Sequence, residues 1–220
     1  MRVTIFGATG PTGSWLCKEA LSGGHDVTAV TRRTGPSPLD SEPALSVVHA
    51  DAASGAGVDA AVADADAVLS TLGCAYSRHP IDVYSAGTRN IVEGMRKHAS
   101  GRRLIVVSSG LTYPPPHYGW FADHLIFPLL RNVIGRTLYT DMRAMEEYLA
   151  TCDDIDWTVM RPGRLIDAAA VSDYQLDLGH PTQPYTARPD LAAAMVTELS
   201  STSHIHQAVA PTTERRKARA

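Results

Sequence analysis

A short stretch near the N-terminus has the residue types and spacing of a phosphate-binding turn. Glycines recur at every third position from Gly7 to Gly13, and threonines and a proline lie between them. A pyrophosphate needs backbone N–H groups directed at it with no Cβ in the way, and glycines also allow the next helix to pack closely. A proline suits the first helical turn, where an N–H would be unpaired. The predicted phosphate-binding residues are Gly7, Thr9, Gly10, Pro11, Thr12 and Gly13.

A second chemical signal follows at the end of the next predicted strand. NAD-binding proteins that use such a glycine turn place an acidic residue about 20 residues further on, where it binds the ribose 2′-hydroxyl. Here Arg32 and Arg33 occupy that place, and no carboxylate occurs before Asp40. Guanidinium groups match the oxygens of a 2′-phosphate. The pair therefore favours NADP(H), although two solvated arginines at a strand end would look the same.

The elements that must position these residues alternate along the chain as strand and helix. Repeated units of this kind predict a single-domain α/β Rossmann fold, with a doubly wound, mostly parallel sheet and helices on both faces. The predicted strands are Arg2–Phe6, Asp26–Thr31, Ser46–His49, Ala67–Leu72, Leu104–Ser108 and Trp157–Met160. The predicted helices are Thr12–Ser22, Val58–Ala65, Ile81–His98 and Leu138–Ala150. We expect the domain to cover residues 1–210, followed by a disordered basic tail at 211–220.

The composition argues against several other classes of protein. The net charge of −3 gives no field for nucleic acid or an anionic membrane. The longest apolar stretch, Leu125–Ile134, is too short to span a bilayer and is interrupted by Pro128 and Arg131. Three scattered cysteines fit a reducing compartment. We therefore expect a cytoplasmic protein, a monomer or weak homodimer, with a small-molecule partner and no nucleic-acid or membrane partner.

No metal site is expected from the histidine spacing. His204 and His206 lie two residues apart and would share one face of a strand, but no third ligand lies near them in sequence. A metal site needs more ligands than this pair supplies.

An ordered set of motifs resembles one protein family. The glycine turn reads GATGPTG, and matching pieces follow at 49–52, 70–73, 87–92, 108–110 and 156–163. Together they resemble the atypical short-chain dehydrogenase/reductases in their NAD(P)H-binding, NmrA-like branch, and within it the flavin reductases of the biliverdin reductase B group. The resemblance implies that Asp51 and Ala52 border the adenine and that Leu72 and Gly73 follow the ribose. It also implies Ser108 and Ser109 on the nicotinamide side, closed by the Pro162–Gly163 pair.

The catalytic residues depart from the pattern of typical superfamily members. Those use Tyr-x-x-x-Lys, in which the lysine lowers the tyrosine pKa so that the phenol can transfer a proton. Alignment puts Met142 at the lysine position and Leu138 at the tyrosine position. A one-residue shift gives Tyr139 and Arg143, which are either a modified pair or ordinary surface residues of the helix. Ser109 and Tyr139 are therefore the candidate catalytic residues.

The substrate side is predicted to come from the stretch 113–136. Its side chains include Tyr113, His117, Tyr118, Trp120, Phe121, His124 and Phe127. An aromatic loop over the nicotinamide suits a flat ring substrate, and the alternative is a hydrophobic lid packed on the core.

Three functions remain open from the sequence. The first is an NADPH-dependent reductase of a flavin, quinone or conjugated aromatic carbonyl, in which solvent supplies the proton. The second is an NmrA-like redox sensor that binds NADP without turnover. The third, an epimerase or dehydratase of a nucleotide sugar, is disfavoured by the absent Tyr-Lys pair and by the short C-terminal region.

Overall fold

The strands and helices of this protein were obtained from a computed structural model, which describes residues 1–32, 45–114 and 119–213. The strands are β1 Arg2–Phe6, β2 Asp26–Thr31, β3 Leu45–His49, β4 Ala67–Ser70, β5 Arg103–Val107, β6 Asp156–Met160, β7 Arg164–Ile166, β8 Tyr174–Leu178, β9 Tyr185–Ala187 and β10 Gln207–Thr213. The helices are α1 Pro11–Ser22, α2 Val58–Val62, α3 Ser85–His98, α5 Arg136–Leu149 and α6 Arg188–Thr197. We name as α4 the helical stretch formed by the π-helical turns Ala122–Ile126 and Leu130–Ile134 with the α-helical Phe127–Leu129 between them.

Within the described part of the chain, eight strands form one sheet in the order β3-β2-β1-β4-β5-β6-β10-β8. All neighbours pair in parallel except β10 and β8, which are antiparallel. β7 and β9 form a separate parallel ribbon. This arrangement confirms the predicted doubly wound α/β fold.

Apolar side chains cover both faces of the sheet, as a parallel sheet requires. On one face α2, α3 and α5 pack against the strands, with Ile91, Met95 and Met145 fully buried. On the other face α1 and α6 pack side by side, and Leu16 and Leu191 are fully buried. The two layers fix the carboxyl ends of the strands, where ligands of this architecture bind.

The C-terminal third of the structure contains elements that the sequence patterns do not reveal. Three short or polar strands (β7, β8 and β9), helix α6 and strand β10 all follow the last predicted strand. The predicted tail also begins too early, because residues 211–213 belong to β10. Pro211 pairs with Leu176 of β8, and Thr212 donates a hydrogen bond of 2.6 Å to Asp177. Residues 214–220 lie outside the described residues.

The helices described in the structure include none that is both long and apolar enough to cross a membrane.

Candidate functional site

A cavity of about 1200 Å³ opens at the carboxyl ends of the parallel strands. Its walls include the glycine turn, the loops after β2, β3, β4, β5 and β6, and parts of α4 and α5. All but one of the predicted site residues line it: Gly7, Thr9, Gly10, Pro11, Thr12, Gly13, Arg32, Asp51, Ala52, Leu72, Gly73, Ser108, Ser109, Tyr139, Pro162 and Gly163. The remaining one, Arg33, lies outside the described residues.

The glycine turn owes its shape to the missing side chains. Gly7 has a positive φ of 77°, and a Cβ there would lie 2.7 Å from the Thr71 carbonyl oxygen. A Cβ on Gly13 would lie only 2.1 Å from the Gly7 carbonyl oxygen. Gly10 differs, since it has an ordinary φ of −75° and directly precedes α1. The first N–H groups of a helix lack intrahelical acceptors, so this turn offers donors to an anion in the cavity.

Helix α3 fixes the loop after β3 through hydrogen bonds from one side chain. Asn90 donates hydrogen bonds from Nδ2 to the carbonyls of Ala52 (2.8 Å) and Ala53 (3.1 Å). Asp51 accepts a hydrogen bond of 3.1 Å from the Ala53 N–H. Asn90 belongs to a motif noted in the sequence, but only the structure reveals that its amide positions the loop predicted to border the adenine.

Arg32 follows β2 directly, in the cavity wall, and its side chain is exposed to solvent. A cation at this position can bind an anionic group on the ribose end of a dinucleotide.

The loops after β5 and β6 form the opposite end of the cavity. The Gly110 N–H donates to the Pro162 carbonyl at 2.8 Å, and the Gly163 N–H donates to Thr186 Oγ1 at 3.0 Å. A Cβ on Gly163 would lie 2.7 Å from the Pro184 carbonyl oxygen. Backbone contacts of this kind fix the relative position of the two loops.

The hydroxyl of Ser108 is directed into the protein and is taken up by internal hydrogen bonds. It donates to Glu146 Oε1 at 2.6 Å and lies 2.8 Å from Thr112 Oγ1. Glu146 also forms a buried ion pair with Arg161, whose guanidinium lies 4.6 Å from the centre of the Tyr113 ring. Ser108 therefore contributes to the cavity wall while its hydroxyl anchors α5 to β5.

Ser109 and Tyr139 are brought together, and a third hydroxyl joins them. The Tyr139 hydroxyl lies 3.2 Å from that of Tyr76. Burial and the hydrogen bond with Tyr76 raise the pKa of Tyr139 above its ordinary value, and a hydrogen bond with Ser109 only partly opposes this rise. The phenol therefore stays neutral and is no activated base.

The possible Tyr139–Arg143 pair does not form. Arg143 donates a hydrogen bond of 3.1 Å to the Thr112 carbonyl, and its guanidinium lies 5.5 Å from the Tyr113 ring. Positions four apart share one side of a helix. The Arg143 side chain is nevertheless directed to the Thr112 carbonyl and not to the Tyr139 hydroxyl. The alternative of ordinary surface residues is also wrong for Tyr139, which is only 4% exposed. Met142 is buried in the cavity wall where a lysine was expected.

From residue 120 to residue 134 the predicted substrate stretch is helical, and its side chains have two kinds of surroundings. Phe127 and Leu130 of α4 line the cavity, whereas Trp120 and Phe121 are exposed. An aromatic loop was predicted here, but π-helical turns lie on both sides of the short α-helical segment Phe127–Leu129, which contains Pro128. Two of the aromatic residues predicted for the substrate side, His117 and Tyr118, lie outside the described residues.

Several cavity residues carry no signal in the sequence. Tyr76 lies on the loop after β4, while Tyr185 and Arg188 come from the unpredicted β9 and the start of α6. His204 and His206, by contrast, have separate protein partners. His204 lies 2.9 Å from Glu198, and His206 lies 2.9 Å from the Ile155 carbonyl.

Among curated proteins, one similar protein is an uncharacterized chloroplastic protein of Arabidopsis thaliana. It is 30% identical over 177 residues, which are 74% of this chain and 59% of the plant protein. The chain therefore spans less than two thirds of the length of the curated relatives it matches.

Solved structures share the fold over nearly the whole chain. A Burkholderia pseudomallei protein, described as exported, is 26% identical with a TM-score of 0.77 and covers 97% of this chain and 100% of its own. A Veillonella parvula short-chain dehydrogenase/reductase in complex with NADP is 17% identical with a TM-score of 0.77, covering 96% and 94%. A Streptococcus pneumoniae protein described as an NADH-flavin reductase is 21% identical with a TM-score of 0.77, covering 97% and 100%. At the two lower identities the likeness shows the fold alone.

The NAD(P)H-binding family matches residues 7–202, from the glycine turn to beyond α6. This match confirms the resemblance drawn from the motifs. The chain has a Rossmann fold, with the glycine turn at the carboxyl end of β1, and it belongs to the NAD(P)H-binding family.

Proposed function

We propose that this protein is an NADPH-dependent reductase of a flat, conjugated substrate such as a flavin, a quinone or an aromatic ketone. The observation that carries the proposal is the composition of the cavity. The glycine turn lies on one side of the cavity, and three hydroxyl groups (Tyr76, Ser109 and Tyr139) lie in its wall together with the apolar side chains of α4 and α5.

The cavity fits a nicotinamide dinucleotide on structural grounds. The glycine turn leaves room where a Cβ would otherwise stand, and Arg32 lies where a 2′-phosphate would be bound. The volume of about 1200 Å³ exceeds the roughly 300–1,000 Å³ of typical small-ligand pockets, which leaves room for a second molecule. NADPH, when bound, supplies the hydride.

The residues of the chain would bind and orient the substrate and exclude water from it. Phe127, Leu130 and Met142 offer an apolar surface to a flat ring. Ser109 and the two tyrosines can donate hydrogen bonds to an oxygen or nitrogen that gains electron density. Since the pKa of Tyr139 is raised, and none of the described residues that shift it is a lysine, solvent is the proton source that fits best. A conjugated acceptor tolerates this because its charge is delocalised.

A redox sensor that binds NADP without turnover is the second candidate. The observation in its favour is Met142 at the expected lysine position, since this leaves Tyr139 without an activating cation.

The test is NADPH oxidation by the purified protein with FMN, riboflavin, menadione and aromatic ketones. We expect steady oxidation with at least one of them, and none with the Gly10→Val variant, in which the added side chain occupies the pyrophosphate position. Tight NADPH binding without oxidation on any substrate would contradict the reductase and support the sensor.

A further inference from the structure

The outer side of α4 is unusually apolar for an exposed helix. Seven of the eleven large hydrophobic side chains that are exposed in the described residues lie between positions 120 and 134: Trp120, Phe121, Leu125, Ile126, Leu129, Val133 and Ile134. We call these seven side chains the α4 outer face. Trp120 and Val133, near its two ends, are 74% and 68% exposed. Contiguous apolar surface of this kind marks a contact with another molecule or with a membrane.

The spacing makes these side chains one continuous strip. Phe121, Leu125, Leu129 and Val133 recur at intervals of four residues, which keeps them on one side of the helix. Phe127 and Leu130 of the same helix line the wall of the cavity. The α4 outer face therefore belongs to a helix that also forms part of the cavity wall.

Positive charge is concentrated beside the strip. Arg131 and Arg136 lie at its C-terminal end, and residues 119–137 contain a single acidic residue, Asp123. The Asp123 carboxylate accepts a hydrogen bond of 3.2 Å from the Gly119 N–H. Thr137 donates a hydrogen bond of 2.6 Å to the Ser77 carbonyl, which brings the exposed Arg78 to the same end. A protein with a net charge of −3 thus has a locally cationic region next to its apolar strip.

We propose that the α4 outer face docks onto an anionic lipid surface, with α4 lying in the plane of the interface. Tryptophan, phenylalanine and leucine on one helix face, with arginines beside them, are the composition of interfacial helices. The arginines supply the charge complementarity to anionic headgroups. The stretch is too short to span a bilayer, as the sequence predicts, but an interfacial helix does not need to span it. This revises the expectation of no membrane partner.

Docking would also place the cavity beside the region where apolar ring compounds dissolve. That consequence, and only that one, rests on the proposed reductase function.

The test is binding of the purified full-length protein to phospholipid vesicles, without cofactor or substrate. We expect co-sedimentation with vesicles of phosphatidylcholine mixed with phosphatidylglycerol, weaker binding to phosphatidylcholine alone, and a decrease as salt is added. Since no nucleotide is present, failure of this test does not bear on the proposed reductase function. Likewise, absence of NADPH oxidation does not bear on the docking proposal.

Matched variants separate the strip from general surface effects. Leu125→Gln and Val133→Gln should each lower the partition coefficient by about tenfold, because each removes an inserted apolar side chain. Arg131→Gln and Arg136→Gln should each lower it about fivefold on anionic vesicles only. The controls are Leu178→Gln, 69% exposed on β8, and Lys97→Gln on α3, and both should bind like the wild type.

Three results would overturn the proposal. One is that the wild type binds neither type of vesicle. Another is that the control variants lose as much vesicle binding as the variants of the strip. The third is a wild-type dimer in sedimentation equilibrium that Leu125→Gln converts to a monomer, because the strip would then be covered by a second copy of the chain.

Discussion

The hydroxyl oxygens of Tyr76 and Tyr139 lie 3.2 Å apart, on two elements that meet at the wall of the cavity. Gly135 makes this contact possible, since a Cβ there would lie 2.5 Å from the Tyr139 ring and 2.9 Å from the Tyr76 ring. Tyr139 thus has a second phenol as its neighbour, while Met142 occupies the sequence position of the lysine in typical members of the superfamily.

The first prediction concerns the source of the proton. Tyr139→Phe should lower the turnover number by less than about tenfold, because positioned acid catalysis, typically worth 10²–10⁴-fold, is not supplied by this phenol. Ser109→Ala should cost about tenfold to 100-fold, because it removes a hydrogen bond and the geometry it holds. The turnover numbers are compared at saturating NADPH on the best substrate of the panel.

Tyr148→Phe is the matched control, since it removes a phenol on the same helix that contacts Arg96 outside the cavity. A loss above about 10³-fold for Tyr139→Phe alone would identify the tyrosine as the acid and exclude solvent protonation.

The second prediction concerns the choice of nicotinamide cofactor. Arg32→Ala should weaken NADPH binding about tenfold to 150-fold, since a charge-assisted hydrogen bond is worth roughly 1.5–3 kcal/mol, and should change NADH binding little. Isothermal titration calorimetry measures both affinities, and Lys97→Ala on α3 serves as the control for lost charge. Equal affinity of the wild type for NADH and NADPH would refute the 2′-phosphate site.

The third prediction separates two roles within the glycine turn. Gly10→Val should abolish NADPH binding and leave the fold intact, because Gly10 has an ordinary φ and a Cβ there lies 3.2 Å from one carbonyl oxygen. Gly13→Ala should instead destabilise the protein, since its Cβ would lie 2.1 Å from the Gly7 carbonyl oxygen. Circular dichroism measures whether each variant is folded and how stable it is, and isothermal titration calorimetry measures its affinity for NADPH. Wild-type NADPH affinity in the Gly10→Val protein would show that the turn is not the phosphate site.

The fourth prediction concerns the buried ion pair behind the cavity. Glu146→Gln leaves the Arg161 guanidinium without its carboxylate. The side chain of Arg161 is 15% exposed and that of Glu146 is 6% exposed. Removing one partner of a buried pair typically costs about 3–5 kcal/mol of the free energy of unfolding. Urea unfolding gives this value, and the exposed neighbour variant Glu147→Gln should change it by less than about 0.5 kcal/mol. Equal effects of the two substitutions would mean that the pair contributes nothing specific.

The local signals in the sequence determined the nucleotide-binding half of this protein. Glycines at 7, 10 and 13 between a strand and a helix have few other physical uses, because each removes a Cβ from a place where backbone or ligand must approach. Buried parallel strands such as Arg103–Val107 are apolar on both faces, so their sequence alone reveals them. The fold and the glycine-turn side of the cavity were predictable for these reasons.

The tertiary structure alone decided the far end of the cavity. Tyr76 and Tyr139 are 63 positions apart, and no sequence pattern indicates a contact between them. The direction of a long side chain is also not local, since Arg143 turned away from Tyr139 to a carbonyl that folding brought near. Short strands such as Tyr174–Leu178 are held by their neighbours, and an alternation of apolar and polar residues over five positions is too short to identify a strand by itself. Such features depend on partners distant in the chain, which the sequence of a single element cannot specify.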